Sequence, residues 1–117
     1  MLGLGSFYKG NSLFFVMGEI LFKVHESYRW VVAICDKDVY GRKLVEGVKA
    51  LDLRGEFFHG EVMSEADIEA EIVRCNREDA TFNFVGDDSV ALAKRLGIVK
   101  DGGVVMIDGV PVALVLL

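Results

Sequence analysis

The chain has no glutamine, one threonine, one proline and two cysteines in 117 residues. Cys35 and Cys75 lie far apart, without the close spacing of metal-binding cysteines, and a short secreted domain stapled by disulfides would carry several pairs. Both read as reduced thiols of a cytoplasmic protein. Cations are also scarce: 13 Lys and Arg stand against 18 Asp and Glu, a formal net charge of -5. A protein that grips duplex nucleic acid by neutralising many phosphates needs a basic face, so the charge argues against that mode and leaves room for a small local patch. No apolar run approaches the roughly 20 residues of a membrane span. Met1 to Gly5 lacks a basic region, and Ser12 to Val16 is too short for the core of a secretory signal. The missing glutamine, together with abundant Val, Glu, Lys and Arg, matches the bias of heat-adapted proteins that avoid labile amides.

Apolar residues, by contrast, are plentiful. They make up 52% of a chain long enough for one core and too short for two. More apolar surface is present than a monomer of this size easily hides, so a homo-oligomer or a partner is expected. Met17-Gly18-Glu19 opens a far more regular pattern than what precedes it. The organisation expected is therefore an N-terminal extension over 1–16 and a single domain over 17–117.

Ile20 to His25 and Trp30 to Cys35 are β-rich runs separated by the polar Glu26-Ser27-Tyr28-Arg29, a hairpin signal. The second run is apolar on both faces and belongs in the middle of a sheet. Asp36 to Lys43 reads as a loop or one short helical turn, with Gly41 free to take a positive φ. Val48 to Leu53, bounded by Gly47 and Gly55, reads as a strand, with helix as the alternative. Ser64-Glu65-Ala66-Asp67 is a helix start whose hydroxyl accepts from the third amide. The helix runs from about Glu65 to Cys75, with Ile68, Ile72 and Cys75 on the buried stripe beside Ala66, Ala70 and Val73, and Arg74 and Arg77 at its negative end. Thr81 to Val85 is a strand with Phe82 and Phe84 on one side and Asn83 on the other. Asp87 or Asp88 caps the next helix, Val90, Ala93 and Leu96 form its seam, and Gly97-Ile98 stops it. A strand over Val104 to Ile107 completes a β-α-β unit. Asp108-Gly109 then turns the chain into Val110 to Leu116, with Pro111 at an edge or a bulge. The fold class expected is α+β: a mixed β-sheet of five or six strands with two helices on one face, containing a β-α-β unit followed by a C-terminal β-hairpin.

Three blocks resemble the archaeal domain-of-unknown-function family 424, whose members are short single-domain proteins. They are Val32 to Asp36 with Gly41-Arg42-Lys43; Phe57-Phe58-His59-Gly60-Glu61; and Ala80 to Gly86 running on to Ile107-Asp108-Gly109-Val110-Pro111. The resemblance covers roughly Met17 to the C-terminus in the same order. Similar proteins begin near Met17, which agrees with an extension before it. They usually carry His-Ala-Gln after Gly-Val-Pro, where this chain has Val112-Ala113-Leu114, so no histidine role carries over to the last hairpin. The resemblance implies work alongside the archaeal translation and RNA machinery and supplies no mechanism.

No motif names a reaction, so the candidate residues are weighed singly. Gly86-Asp87-Asp88 stands where a strand feeds a helix, a geometry that binds phosphate elsewhere. Two aspartates there repel an anion, and a plain helix cap is the better reading. Asn83 both donates and accepts, which suits recognition, against the blander role of a buried amide bridging backbone groups. His59-Gly60-Glu61 follows Phe57 and Phe58 and reads as a loop, where imidazole and carboxylate could share a proton, against an exposed histidine beside a solvated glutamate. Cys35 with His59 as nucleophile and base, or His25, His59, Cys35 and Cys75 around zinc, lacks the necessary spacing, and neither metal nor cofactor is expected. Arg42 and Lys43, with Tyr40, Gly41 and Lys37, form the one compact basic loop with a ring, able to stack on and neutralise single-stranded RNA, against the commoner role of a solvated loop.

The function expected is a non-enzymatic binding module for RNA or a translation-associated protein. Asp36 to Lys43, Phe58 to Glu61 and Asn83 to Asp87 would converge on one rim. The alternatives are a small enzyme using His59, Glu61, Asp36 or Asn83 on a small molecule, and a structural subunit that dimerises through its N-terminal extension and C-terminal strand.

Overall fold

The computed structural model describes residues 18–116. The segment 1–16 that the sequence marks as an extension lies outside the described residues. Strands β1 (Ile20–His25) and β2 (Val31–Asp36) form the expected hairpin. A second hairpin, β3 (Lys43–Glu46) with β4 (Lys49–Asp52), follows as a separate two-stranded sheet. The chain continues through β5 (Glu61–Met63), α1 (Glu65–Arg77), β6 (Thr81–Val85), α2 (Asp87–Arg95), a 3-10 turn (Asp101–Gly103), β7 (Val105–Ile107) and β8 (Val110–Val115). The main sheet has six strands in the order β5-β1-β2-β6-β8-β7. Among the described residues, β2 pairs with β6 in parallel and the other neighbours pair antiparallel. The architecture is the α+β class read from the sequence. The two strands of the β-α-β unit, β6 and β7, run in the same direction with β8 between them.

Strand alternation sorts the core into two layers. Phe22, Val32, Ile34, Phe82, Phe84 and Ala113 face the helices and pack on Ile68, Ile72 and Cys75 of α1 and on Val90, Leu92 and Ala93 of α2. Ala33, Cys35, Val85, Val110 and Val112 face the other way and are roofed by Val39, Leu44, Leu53 and Phe58. β2 is buried on both sides, as its unbroken apolar run requires. Ala66, Ala70 and Val73, expected beside the stripe of α1, are exposed instead. The sheet meets the helix along the narrow Ile68-Ile72-Cys75 line only.

Local chemistry explains the ends of these elements. Ser64 accepts from the Asp67 N–H at 3.1 Å, as its position before Glu65 predicts. Asp108 and Gly109 both take positive φ, the turn that matches strand twist. α2 ends in a Schellman motif, with Gly97 N–H on Lys94 C=O and Ile98 N–H on Ala93 C=O. Among the described residues no helix is long and apolar enough to cross a membrane.

Candidate functional site

The start of α2 departs from expectation. Neither Asp87 nor Asp88 caps it: the cap position is Gly86, which has no side chain to offer. Asp36, the last residue of β2, does the work from the neighbouring strand. Its Oδ2 accepts from the Asp88 N–H at 3.0 Å, and its Oδ1 accepts from the Ser89 N–H at 2.8 Å and the Ser89 hydroxyl at 2.6 Å. The parallel β2–β6 pairing brings a carboxylate alongside a helix N-terminus, so the acid from one strand end satisfies the orphan amides of the next. Gly86 permits this twice over: its φ is +114°, and a Cβ there would sit 2.3 Å from the Asp36 carboxyl carbon. Burial raises the Asp36 pKa above the ordinary aspartate value, against the lowering pull of its hydrogen bonds. The carboxylate already fills the anion cradle, and exposed Asp87 adds a further negative charge.

The segment after β2 is the short helical turn the sequence allows, with the Val39 and Tyr40 N–H groups on the Asp36 carbonyl. Gly41, at φ +91°, turns the chain. Its N–H reaches Leu53 C=O, and the Leu53 N–H returns to Arg42 C=O. Lys43 is the first residue of β3, opposite Asp52. The Tyr40 hydroxyl donates to Gly55 C=O, and the Tyr40 ring stacks on His59 with centroids 5.4 Å apart. The His59 side chain is 58% exposed on the outer side of that pair. Beside it the His25 and Phe57 rings lie 4.5 Å apart and nearly parallel, and His25 Nε2 meets the Phe57 carbonyl at 2.9 Å.

Asn83 does point away from the phenylalanines, and its Nδ2 donates to Val32 C=O at 3.4 Å. It lies in a cross-strand row with Ala33 and Leu114. Glu61 is not in a loop: it opens β5, opposite Phe22 at the edge of the sheet. Gly60 is tight against that strand, since a Cβ would lie 2.4 Å from the Phe22 carbonyl oxygen.

The expected single rim is thus only partly assembled. The Asp36 to Lys43 stretch is a hub, touching Gly86 to Ser89 through the Asp36 carboxylate and the 56–60 loop through the Tyr40–His59 stack. Arg42, Glu61 and Asn83 themselves do not meet. Arg42 reaches toward Asp108 in the β7–β8 turn at 3.9 Å, whereas Glu61 belongs to the strand at the opposite edge. For the acid–base reading this dispersal is severe, because Asp36 is consumed by α2 and Asn83 lies in mid-strand away from His59 and Glu61. The thiols are buried as well; desolvation, with the nearby Asp36 and Asp38 charges adding, pushes the Cys35 pKa up to about 12. Among the described residues no group of three His, Cys, Asp or Glu side chains gathers to hold a metal ion. Sequence reasoning missed Ser89 as the second partner of Asp36, and β3, whose Leu44 is its only buried residue and leaves no alternation to read.

These blocks and this topology have relatives. A family model described as protein of unknown function (DUF424) matches residues 24–117. The chain belongs to the DUF424 family. A crystal structure of an uncharacterized conserved protein from Methanopyrus kandleri superimposes with a TM-score of 0.74 at 20% identity, covering 83% of this chain and 90% of that one. At that identity the likeness establishes a shared fold. No functionally curated protein matches the chain.

Proposed function

We propose that this DUF424 protein is a non-enzymatic binding module that holds a short stretch of single-stranded RNA against the loop layer roofing its sheet. The observation that carries this reading is the Tyr40–His59 stack, whose histidine side chain is exposed, 3.6 Å from Glu56, with Arg42 and Lys43 following Tyr40 by two and three residues in the chain. An unpaired base has a π-face that can continue such a column, and each adjoining cation can neutralise one backbone phosphate. The Tyr40 ring itself is braced from behind by its bond to Gly55, so the platform is ordered before any ligand arrives. The overall charge of -5 agrees with a contact confined to few phosphates.

Binding of fluorescent RNA oligomers measured at several salt concentrations tests the proposal. With two phosphate contacts the slope of log K against log salt is expected to be about -1.4, and Arg42→Ala or Lys43→Ala each removes about half of it. His59→Ala weakens binding by about 1–3 kcal/mol with little change in slope, because stacking is not ionic. Absent or salt-independent binding, or a His59→Ala variant that binds like the native chain, sinks the reading.

A further inference from the structure

The β1 edge of the main sheet is only half covered. The Lys37 N–H donates to Glu19 C=O at 2.9 Å, extending the register in which Leu21 faces Cys35 and Lys23 faces Ala33. Odd-numbered residues of β1 therefore bond to β2, and Ile20, Phe22 and Val24 turn their N–H and C=O groups outward. β5 lies along Ile20 to Phe22 and goes no further, because the chain leaves the sheet plane at Gly60, pressed against Phe22. Past that point a groove of about 650 Å³ opens, lined by Val24, His59, Glu61, Met63 and Glu71 among others. Among the described residues, the Val24 N–H and C=O have no hydrogen-bond partner.

The charged lining of the groove is divided: Lys23, level with Ala33 on the loop-layer face, donates its Nζ to Glu56 C=O at 3.0 Å, whereas the carboxylates lie on the helix side. Glu61 pairs with Phe22 and so shares its helix-side face, where Glu71 of α1 also lines the groove. Glu71 is already engaged by Arg74 at 2.6 Å, which leaves Glu61 as the carboxylate facing the opening. Any residue placed opposite Val24 in the lane that β5 vacates would point to this same face, next to Glu61.

We propose that this notch receives an extended peptide segment as an added strand, with lysine or arginine at the residue facing Val24. Main-chain bonds to Val24 hold the segment, and Glu61 selects its side chain, the division of labour usual in strand addition. The notch shares His59 with the RNA platform but takes its hydrogen bonds and its charge from Val24 and Glu61, which the platform does not use, so the two proposals fail by different measurements.

The test is a titration of the full-length protein, followed through its amide resonances, with acetyl-Thr-Val-Lys-Val-Thr-amide and its glutamate counterpart. The lysine peptide should shift the Val24 amide and slow its exchange, and bind about tenfold more tightly than the glutamate peptide. Glu61→Lys should reverse that order. Val24→Pro should weaken the lysine peptide about tenfold by removing one donor, since proline is tolerated where a strand N–H faces outward. If Val24→Pro does not fold, the Glu61→Lys reversal and the native Val24 amide decide. The proposal is overturned if the lysine peptide leaves that amide untouched, if both peptides bind equally, or if an RNA oligomer or a second copy of the chain protects Val24 instead.

Discussion

Gly86 and Gly60 stand at two junctions of one sheet, each jammed against a neighbour: a Cβ would fall 2.3 Å from the Asp36 carboxyl carbon at one and 2.4 Å from the Phe22 carbonyl oxygen at the other. The outcomes are opposite. At Gly86 the close approach closes the junction, because the carboxylate it admits takes up the free amides of α2 and the Ser89 hydroxyl. At Gly60 it opens one, because the chain slips over β1 and leaves the Val24 backbone facing a groove. A glycine fixed by sterics is therefore no guide to function by itself. What matters is whether the polar groups around it end up satisfied inside the chain.

The comparison breaks most visibly by adding one methyl group at each glycine. Gly86→Ala must relieve both a 2.3 Å overlap and a φ of +114°, and should lose about 3–5 kcal/mol in urea unfolding. Asp36→Ala comes next, at about 2–4 kcal/mol, because it strips the cap and leaves a buried hydroxyl without its acceptor. Gly60→Ala should cost less, about 1–3 kcal/mol, since only the overlap must be relieved and the short edge strand β5 can move outward. If Gly60→Ala proves the costlier glycine substitution, the 60–63 edge is not the yielding side of the molecule and the contrast between the junctions fails.

How much of this was legible follows from which interactions are local. The Ser64 cap, the Gly97 stop, the Asp108-Gly109 turn and the facing of Phe82 and Phe84 are settled within a few residues and could be read directly. The capping of α2 could not, because Asp36 lies 52 residues from Asp88 and only the β2–β6 pairing brings them together. A sequence reader naturally gives the helix to its nearest aspartates. Glu61 was misplaced into a loop because a three-residue edge strand leaves too short a pattern to show alternation. Convergence of Arg42, Glu61 and Asn83 depended on strand order, and neither periodicity nor turn chemistry encodes which strand takes the edge.

The closed junction can be probed more finely through acid. Burial holds the Asp36 carboxyl above the ordinary aspartate range, and the Asp88 charge adds to the rise while the Ser89 hydroxyl and two amides oppose it. A carboxyl whose pKa is higher folded than unfolded binds its proton more readily in the native state, so lowering the pH between those two values favours folding. Glu46 and Asp52 act in the other sense: the Asp108 amide and Lys49 hold the first low, and Arg54 holds the second low, so acid removes what they contribute. Those two groups are unchanged in Asp36→Asn, which isolates the buried carboxyl. The stability gap between the native chain and this variant should therefore widen as the pH falls from 7 through the folded value of Asp36, and level off below about 3.9, the usual unfolded aspartate value. Urea midpoints for both proteins across that range measure it. A gap that narrows in acid would mean that the three hydrogen bonds outweigh burial, and that Asp36 sits in its cradle as a stabilised anion.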